Sequence, residues 1–242
     1  MNLGALLTPL TPIPQQAQAL EAEGFDSIWS AQAMGRGFMM SDPFVALAAA
    51  ASVTQTVELG TAILQIPLYN PTDIALKAIS LNRVSQGRFL LGVGAGSTQA
   101  DYDIHKANFD SRFKDFDRSL GELRGTLLDG NVGGGNIGAS NEGPPLLYGT
   151  WGKNVARAAT EFDGWIASGM HRSVAACCDA LQDYRQSGGQ RAIVSTILVN
   201  SETDTGELKD ALATYADAGF DDAVLFIQPG SAGLAELRGL VA

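Results

Sequence analysis

The stretch Arg88-Phe89-Leu90-Leu91-Gly92-Val93-Gly94-Ala95-Gly96-Ser97 decides how the rest of the chain is read. It opens as an uninterrupted apolar run, the mark of a strand buried on both faces. It closes with glycine at every second position. That strips side chains from one face of the strand end and lets a flat group approach the backbone. Ser97 adds a hydroxyl and an N–H at the mouth. Three readings fit these residues: a tight turn without a ligand, a dinucleotide loop, or a ligand platform at the C-terminal end of a barrel strand. A dinucleotide loop requires Gly-x-Gly-x-x-Gly opening into a helix. Here the spacing is Gly-x-Gly-x-Gly, and Thr98 to Ser111 is polar and non-periodic. The remaining chain favours the platform.

On either side of this strand the sequence alternates between short apolar runs and amphipathic segments. Leu3–Thr8, Phe25–Ser30, Val57–Leu64, Phe89–Val93, Pro145–Tyr148, Trp165–Ser168, Ile193–Val199 and Ala223–Ile227 read as strands. Pro14 and Pro71 mark helix starts, and Gly24 and Gly87 mark the ends. A helix from Pro43 to about Ala51 lies between them. Phe113, Phe116, Leu120, Leu123 and Leu127 recur at steps of three and four, predicting a long helix that stops at Gly130. Further helices start near Gly152, Arg172, Asp204 and Ser231. Residues 130–143, rich in Gly and Asn, read as a mobile surface loop. A junction of aromatic residue, aspartate and apolar strand occurs three times, at Phe25-Asp26, Phe162-Asp163 and Phe220-Asp221. Eight strand–helix pairs in 242 residues predict a closed (β/α)8 TIM barrel, read as one domain over residues 1–242.

Composition narrows the partners. Hydrophobic residues make up 45% of the chain and charged residues 17%, with net charge −10. This argues against nucleic acid or an acidic membrane as a partner. The sparse charge predicts self-association, with a homodimer expected. Cys177 and Cys178 are neighbours in a helical segment and cannot bridge each other, so they read as packing in a reducing compartment. The start of the chain lacks the basic and long apolar segments of a signal peptide, and no run reaches about 18 apolar residues. A soluble, cytoplasmic protein is expected.

In such a barrel, chemistry gathers on the loops that follow the strands. Gly149-Thr150-Trp151-Gly152-Lys153 runs from a strand into a helix start. Free N–H groups, the helix dipole, Thr150 and Lys153 make it the best phosphate-binding candidate. An ordinary loop capped by Thr150 is the plainer reading. The two histidines, His105 and His171, stand at no metal-ligand spacing, so no metal is expected. Neither a Gly-x-Ser-x-Gly elbow nor a Walker loop is present. His105, in the polar loop beyond the central strand, is either solvated or an acid–base over the platform. Arg172 either meets an anionic substrate or is a solvated helix-start residue.

Four segments together resemble the bacterial-luciferase-like flavin monooxygenase superfamily, which includes enzymes that use the deazaflavin coenzyme F420. They are Gly24-Phe25-Asp26-Ser27-Ile28-Trp29; Leu59-Gly60-Thr61-Ala62-Ile63-Leu64 with Tyr69-Asn70-Pro71; Gly87 to Ser97; and Pro144 to Gly149 followed by Ala158-Ala159 and Asp163-Gly164-Trp165. The resemblance implies a barrel with a flavin ring across its mouth. A non-prolyl cis peptide at Ala62–Ile63 would back the ring. Ala95, Gly96 and Ser97 would line its ribityl side, and Gly149, Thr150, Trp151, Gly152 and Lys153 would hold the phosphate. It also implies pairing through helices that carry Ala46–Ala51 and Ile74–Leu81.

The chain departs from the family pattern after Trp29. Where many relatives carry an acid followed by histidine, it has Gln32-Ala33. Gln32 can hydrogen-bond a flavin or substrate but cannot move a proton at neutral pH. The reading is a flavin-dependent oxidoreductase with FMN as the first cofactor, F420 as the second, and a small organic substrate. Its rivals are a flavin-binding protein without turnover and, more remotely, a phosphate-sugar isomerase barrel.

Overall fold

Eight parallel strands close into a ring. They are β1 (Asn2–Leu6), β2 (Ser27–Ser30), β3 (Glu58–Thr61), β4 (Phe89–Gly94), β5 (Leu146–Gly149), β6 (Gly164–Ser168), β7 (Arg191–Val199) and β8 (Asp222–Ile227). Each pairs with its neighbour in sequence, and β1 pairs with β8 to complete the barrel. The computed structural model describes residues 1–9, 11–132, 135–138 and 143–241.

Helices α1 (Ile13–Ala22), α2 (Pro43–Ala51), α3 (Pro71–Val84), α4 (Gln99–Ile104), α5 (Arg112–Asp129), α6 (Val155–Glu161), α7 (Val174–Gln186), α8 (Thr205–Ala218) and α9 (Leu234–Arg238) surround it. The local chemistry accounts for several boundaries. Asp42 caps α2 through the Phe44 and Val45 N–H groups, Asn70 caps α3, and Asp204 caps α8. Gly130, at φ 73°, ends α5 in the left-handed conformation that glycine adopts without strain.

The recurring aspartate does one job in all three copies. Asp26, Asp163 and Asp221 each accept the N–H of a residue at the start of the preceding strand: Leu3 at 2.8 Å, Leu146 at 2.7 Å and Ala192 at 2.7 Å. Each also donates its own N–H to that residue's carbonyl. The motif thus fastens neighbouring strands at the bottom of the barrel.

Inside the barrel, Leu6, Trp29, Leu90, Leu147, Ile166, Ile193 and Val224 form a closed apolar layer. Below it, Arg191 reaches Asp222 (Nε–Oδ2 2.8 Å) and Glu58 (3.0 Å), an ionic floor across three strands. The second, larger core lies between the outer strand faces and the helices.

Several expectations are corrected. The glycines of β4 admit protein atoms rather than a flat ligand. A Cβ at Gly92 would fall 2.0 Å from the Thr61 carbonyl oxygen, and one at Gly94 would fall 2.6 Å from Ile63 Cδ1. Residues 98–111 are not all loop. α4 forms there, but its buried members are Asp101 and Tyr102, so it shows no apolar period. Phe113 lies off the buried face of α5. Ala46–Ala51 and Ile74–Leu81 contribute mainly to the chain's own core, and the exposed large apolar residues of α2 and α3 are Val45, Leu76 and Val84. In the expected mobile loop, Asn131–Val132 pairs with Gly135–Asn136 as a short antiparallel ladder, whereas residues 133–134 and 139–142 lie outside the described residues.

The fit of Trp29 against Gly60 is testable. A Cβ at Gly60 would meet the indole at 2.2 Å, whereas Gly121 of α5 has nothing within 4 Å of a Cβ. Gly60→Ala is expected to destabilise the protein by about 1–3 kcal/mol through overpacking. Gly121→Ala is expected to stabilise it by about 0.5–1 kcal/mol through helix propensity. Urea midpoints of the two variants check the contrast.

Candidate active site

The loops at the C-terminal ends of the strands surround a cavity of about 520 Å³. This lies within the range of small-molecule and cofactor sites. Of the residues expected from the sequence, Gln32, Ala62, Ile63, Ala95, Gly96, Ser97, Gly149, Thr150, Trp151 and Arg172 line it. His105, Gly152 and Lys153 are not among the lining residues. His105 instead bonds through Nδ1 to the Asp101 carbonyl (2.8 Å) and meets Tyr69 edge-on.

The β3 wall breaks after Thr61. The Ala62–Ile63 peptide bond is cis, and the chain resumes pairing at Leu64–Gln65 beside β4. Ile63 lies over β5 as well as β4, because a Cβ at Gly149 would fall 2.4 Å from Ile63 Cγ2.

The organising group at the mouth is Asp101, fully buried on α4. It accepts the Met34 N–H (2.9 Å), Arg36 Nε (3.1 Å) and Gln65 Nε2 (2.8 Å), with a further ion pair to Arg36. Burial alone pushes its carboxyl up. The bonds from Arg36, Gln65 and the Met34 N–H outweigh burial and hold it below the usual carboxylate range. One ionised group therefore ties α4 to the loops after β2 and β3. Tyr102 adds a bond from its hydroxyl to the Ala95 carbonyl.

The cavity wall carries polar atoms without partners. Gln32 Nε2, Gln65 Oε1, Ser195 Oγ and Arg112 Nε are buried with no hydrogen bond. All four residues line the cavity. Such atoms are costly unless a ligand or water meets them. On the far wall, β7 bulges between Val194 and Ile197, with Thr196 at φ 58°. This brings Ser195 and Thr196 to the cavity beside Ser168, whose Oγ lies 3.3 Å from Thr196 Oγ1.

Arg36, Arg112 and Arg172 line the cavity; Arg36 is paired with Asp101, and the described lining residues include no Asp or Glu. Arg112 stacks on Phe109 and Phe113, at 3.9 and 4.5 Å from the ring centres. Arg172 lies over Trp151 at 4.8 Å. Neither forms an ion pair among the described residues. Beside Trp151, the chain makes a 3-10 turn over Gly152–Asn154 before α6. No side-chain hydrogen bond caps the turn among the described residues, its last bond runs from the Val155 N–H to the Gly152 carbonyl, and the N–H groups at its start have no partner within it. Thr150 does not cap it; its carbonyl accepts the Trp165 indole N–H at 3.0 Å.

Sequence reasoning missed Asp101, Gln65, Arg36, Arg112, Ser195 and Thr196. Gln65 stands in the loop after the third strand and carried no distinguishing signal. The polar residues of 98–111 could not be sorted into buried and exposed without the fold. The role of Asp101 is testable by pH. Its lowered carboxyl stabilises the folded state above the unfolded pKa of about 3.9, and this contribution is lost as pH falls through the folded value. Asp101→Asn is expected to cost about 2–4 kcal/mol near neutral pH, as for a buried ion pair broken on one side. The gap to wild type should be constant above about pH 5 and narrow as pH falls below about 4. A gap independent of pH would show that the charge does no work there.

The comparisons agree with this fold. The family model of luciferase-like monooxygenases matches residues 3–224. The 4-hydroxyprotoasukamycin monooxygenase of Streptomyces nodosus subsp. asukaensis is 32% identical over 113 residues, covering 42% of this chain and 30% of its own length. The matched regions span 28–52% of the lengths of the first four curated relatives. Among solved structures, an F420-dependent secondary alcohol dehydrogenase in complex with an F420–acetone adduct superposes with a TM-score of 0.82. It is 14% identical, and the match covers 99% of this chain and 98% of that one. The oxygenating constituent of 3,6-diketocamphane monooxygenase from Pseudomonas putida, in complex with FMN, superposes with a TM-score of 0.64. It is 16% identical, and the match covers 100% of this chain and 84% of that one. The chain belongs to the luciferase-like monooxygenase family.

Proposed function

We propose that this chain is a flavin-dependent oxidoreductase that holds FMN, or in second place the deazaflavin F420, in the cavity at the barrel mouth and acts there on a small organic substrate. One observation carries the reading: among the described residues, the cavity's lining joins residues with buried, unpartnered polar atoms to two arginines that form no ion pair. That combination suits a ligand with a hydrogen-bonding ring and an anionic arm. Two relatives' descriptions, one with FMN and one with an F420 adduct, support the same ligand class.

When bound, the flavin supplies the redox step, hydride acceptance or oxygen activation. The chain's residues have other tasks. Ala62 and Ile63 form the wall against which a ring packs. Ala95, Gly96 and Ser97 flank its side arm. The turn from Gly149 to Lys153 offers N–H groups and one cation to a phosphate, with Arg172 beside it over Trp151. Gln32 donates a hydrogen bond. His171 is the one histidine on the wall, so proton transfer by a side chain would fall to it or be left to solvent. Arg172 and Arg112 lie where an anionic substrate group could also be met.

We also propose a homodimer in the cytoplasm, formed through α2 and α3, where Val45, Leu76 and Val84 stand exposed. Sedimentation at micromolar concentration is expected to show two copies, and a monomer would reject this.

The phosphate assignment is tested by titrating FMN and riboflavin, which lacks the phosphate, with F420 in parallel. Lys153→Ala removes an exposed charge and is expected to weaken FMN by about two- to fivefold. Gly152→Pro is expected to weaken FMN more, because a proline ring cannot take the φ of 64° found there. Riboflavin should change less than twofold in both. Equal losses for FMN and riboflavin would mean that the loop supports the ring or the fold. Binding of neither flavin nor F420 to wild type would reject the whole reading.

A further inference from the structure

Gln32 and Gln65 lie on the wall between β2 and β3, 7% and 2% exposed. Their two amides are interlocked, and the chemistry of their partners fixes which way each one points. Gln32 Oε1 accepts the backbone N–H of Gln65 at 2.8 Å. Turning that amide over would set its NH2 against an N–H. Gln65 Nε2 donates to Asp101 Oδ2 at 2.8 Å, and Asp101 is held ionised by Arg36 and its other donors. Turning this amide over would set a carbonyl oxygen against a carboxylate.

What each amide keeps free is therefore determined. Gln32 keeps its NH2, with Nε2 unbonded, and Gln65 keeps its carbonyl, with Oε1 unbonded. The two free atoms do not bond each other, although their residues touch. Gly96 completes the corner: a Cβ there would fall 1.9 Å from Gln65 Oε1, so the carbonyl is accommodated only because the residue is glycine, at φ 78°. The two residues that carry this buried donor and this buried acceptor both line the same cavity.

The ligand edge that answers this pair has an acceptor and an N–H on adjacent atoms. We propose that Gln32 and Gln65 read the imide edge of a pyrimidinedione ring, with the Gln32 NH2 donating to a ring carbonyl and the Gln65 carbonyl accepting the neighbouring ring N3–H. This rests on the flavin or deazaflavin reading above, since both ring systems carry that edge. Asp101 is then a positioning residue: it never touches the ring, but it holds the Gln65 carbonyl toward it. Arg36 serves the same end by keeping Asp101 ionised.

The test compares riboflavin and 5-deazariboflavin with their N3-methyl derivatives, by fluorescence titration of the purified wild-type chain. Methylation removes the N3–H and puts a methyl group against the Gln65 carbonyl. It should weaken binding at least tenfold for whichever ring the chain accepts. In Gln65→Met, close in length but without the carbonyl, the penalty should shrink below threefold, with the unmethylated ring weakened. Equal binding of methylated and unmethylated rings by wild type overturns the edge assignment and leaves the cofactor reading standing. A full penalty retained in Gln65→Met overturns the role of Gln65. Binding of neither parent ring, alone or as its 5′-phosphate, overturns the cofactor reading and this inference with it. The wild-type comparison requires no variant, so it decides the edge assignment even where Gln65→Met does not fold.

Discussion

Asp101, on the helix after β4, accepts hydrogen bonds from two other parts of the chain that the closed barrel brings to it: Met34 and Arg36 after β2, and Gln65 after β3. A carboxylate buried to this extent survives only when its acceptor sites are filled and a cation is near. Here the cation, Arg36, and one of the donors, Gln65, also line the cavity. The cost of burying the charge is thus coupled to the shape of the mouth. Anything that loosens one of these loops exposes an unpaired charge, which gives the mouth a reason to stay in one arrangement.

The two ends of the barrel are built differently. At the bottom, Arg191, Asp222 and Glu58 satisfy one another, and Asp26, Asp163 and Asp221 fasten strand starts to their neighbours. Those groups are spent on stability. At the top, Gln32, Gln65, Ser195 and Arg112 retain unbonded atoms, and Arg112 and Arg172 form no ion pair among the described residues. The apolar layer around Trp29 separates the ends. A barrel arranged this way meets ligands at one face only, as the architecture leads one to expect.

Much of the fold was legible because it is written in periodicity. The eight apolar runs, the helix starts at Pro43, Pro71 and near Asp204, and the stop at Gly130 are local signals that packing did not override. The triple aspartate motif was visible as a repeat, but its bond to the previous strand required the sheet. The site was less legible. The glycines of β4 suggested a bare face for a ligand, whereas the space is filled by Thr61, Ile63 and Ile166. Gln65 and Asp101 are polar residues in stretches without a period, and a sequence cannot say which of several such residues becomes buried. His105 looked suitable for acid–base work because of where it stands in the chain, yet its ring bonds back to the Asp101 carbonyl and packs on Tyr69. Ala62 and Ala95 were named through the resemblance, and Gly149 also because it stands where a strand runs into a helix start at the mouth.

Ligand recognition is assigned to one cavity and to one orientation within it. Crystal structures of the chain grown with FMN and with F420 decide both. The expected result is the ring packed on Ala62–Ile63, its imide edge at Gln32 and Gln65, and its phosphate-bearing arm running past Ser97 toward the Gly149–Lys153 turn. A ring bound with that edge toward Trp151 and Arg172, or bound outside this cavity, would contradict it.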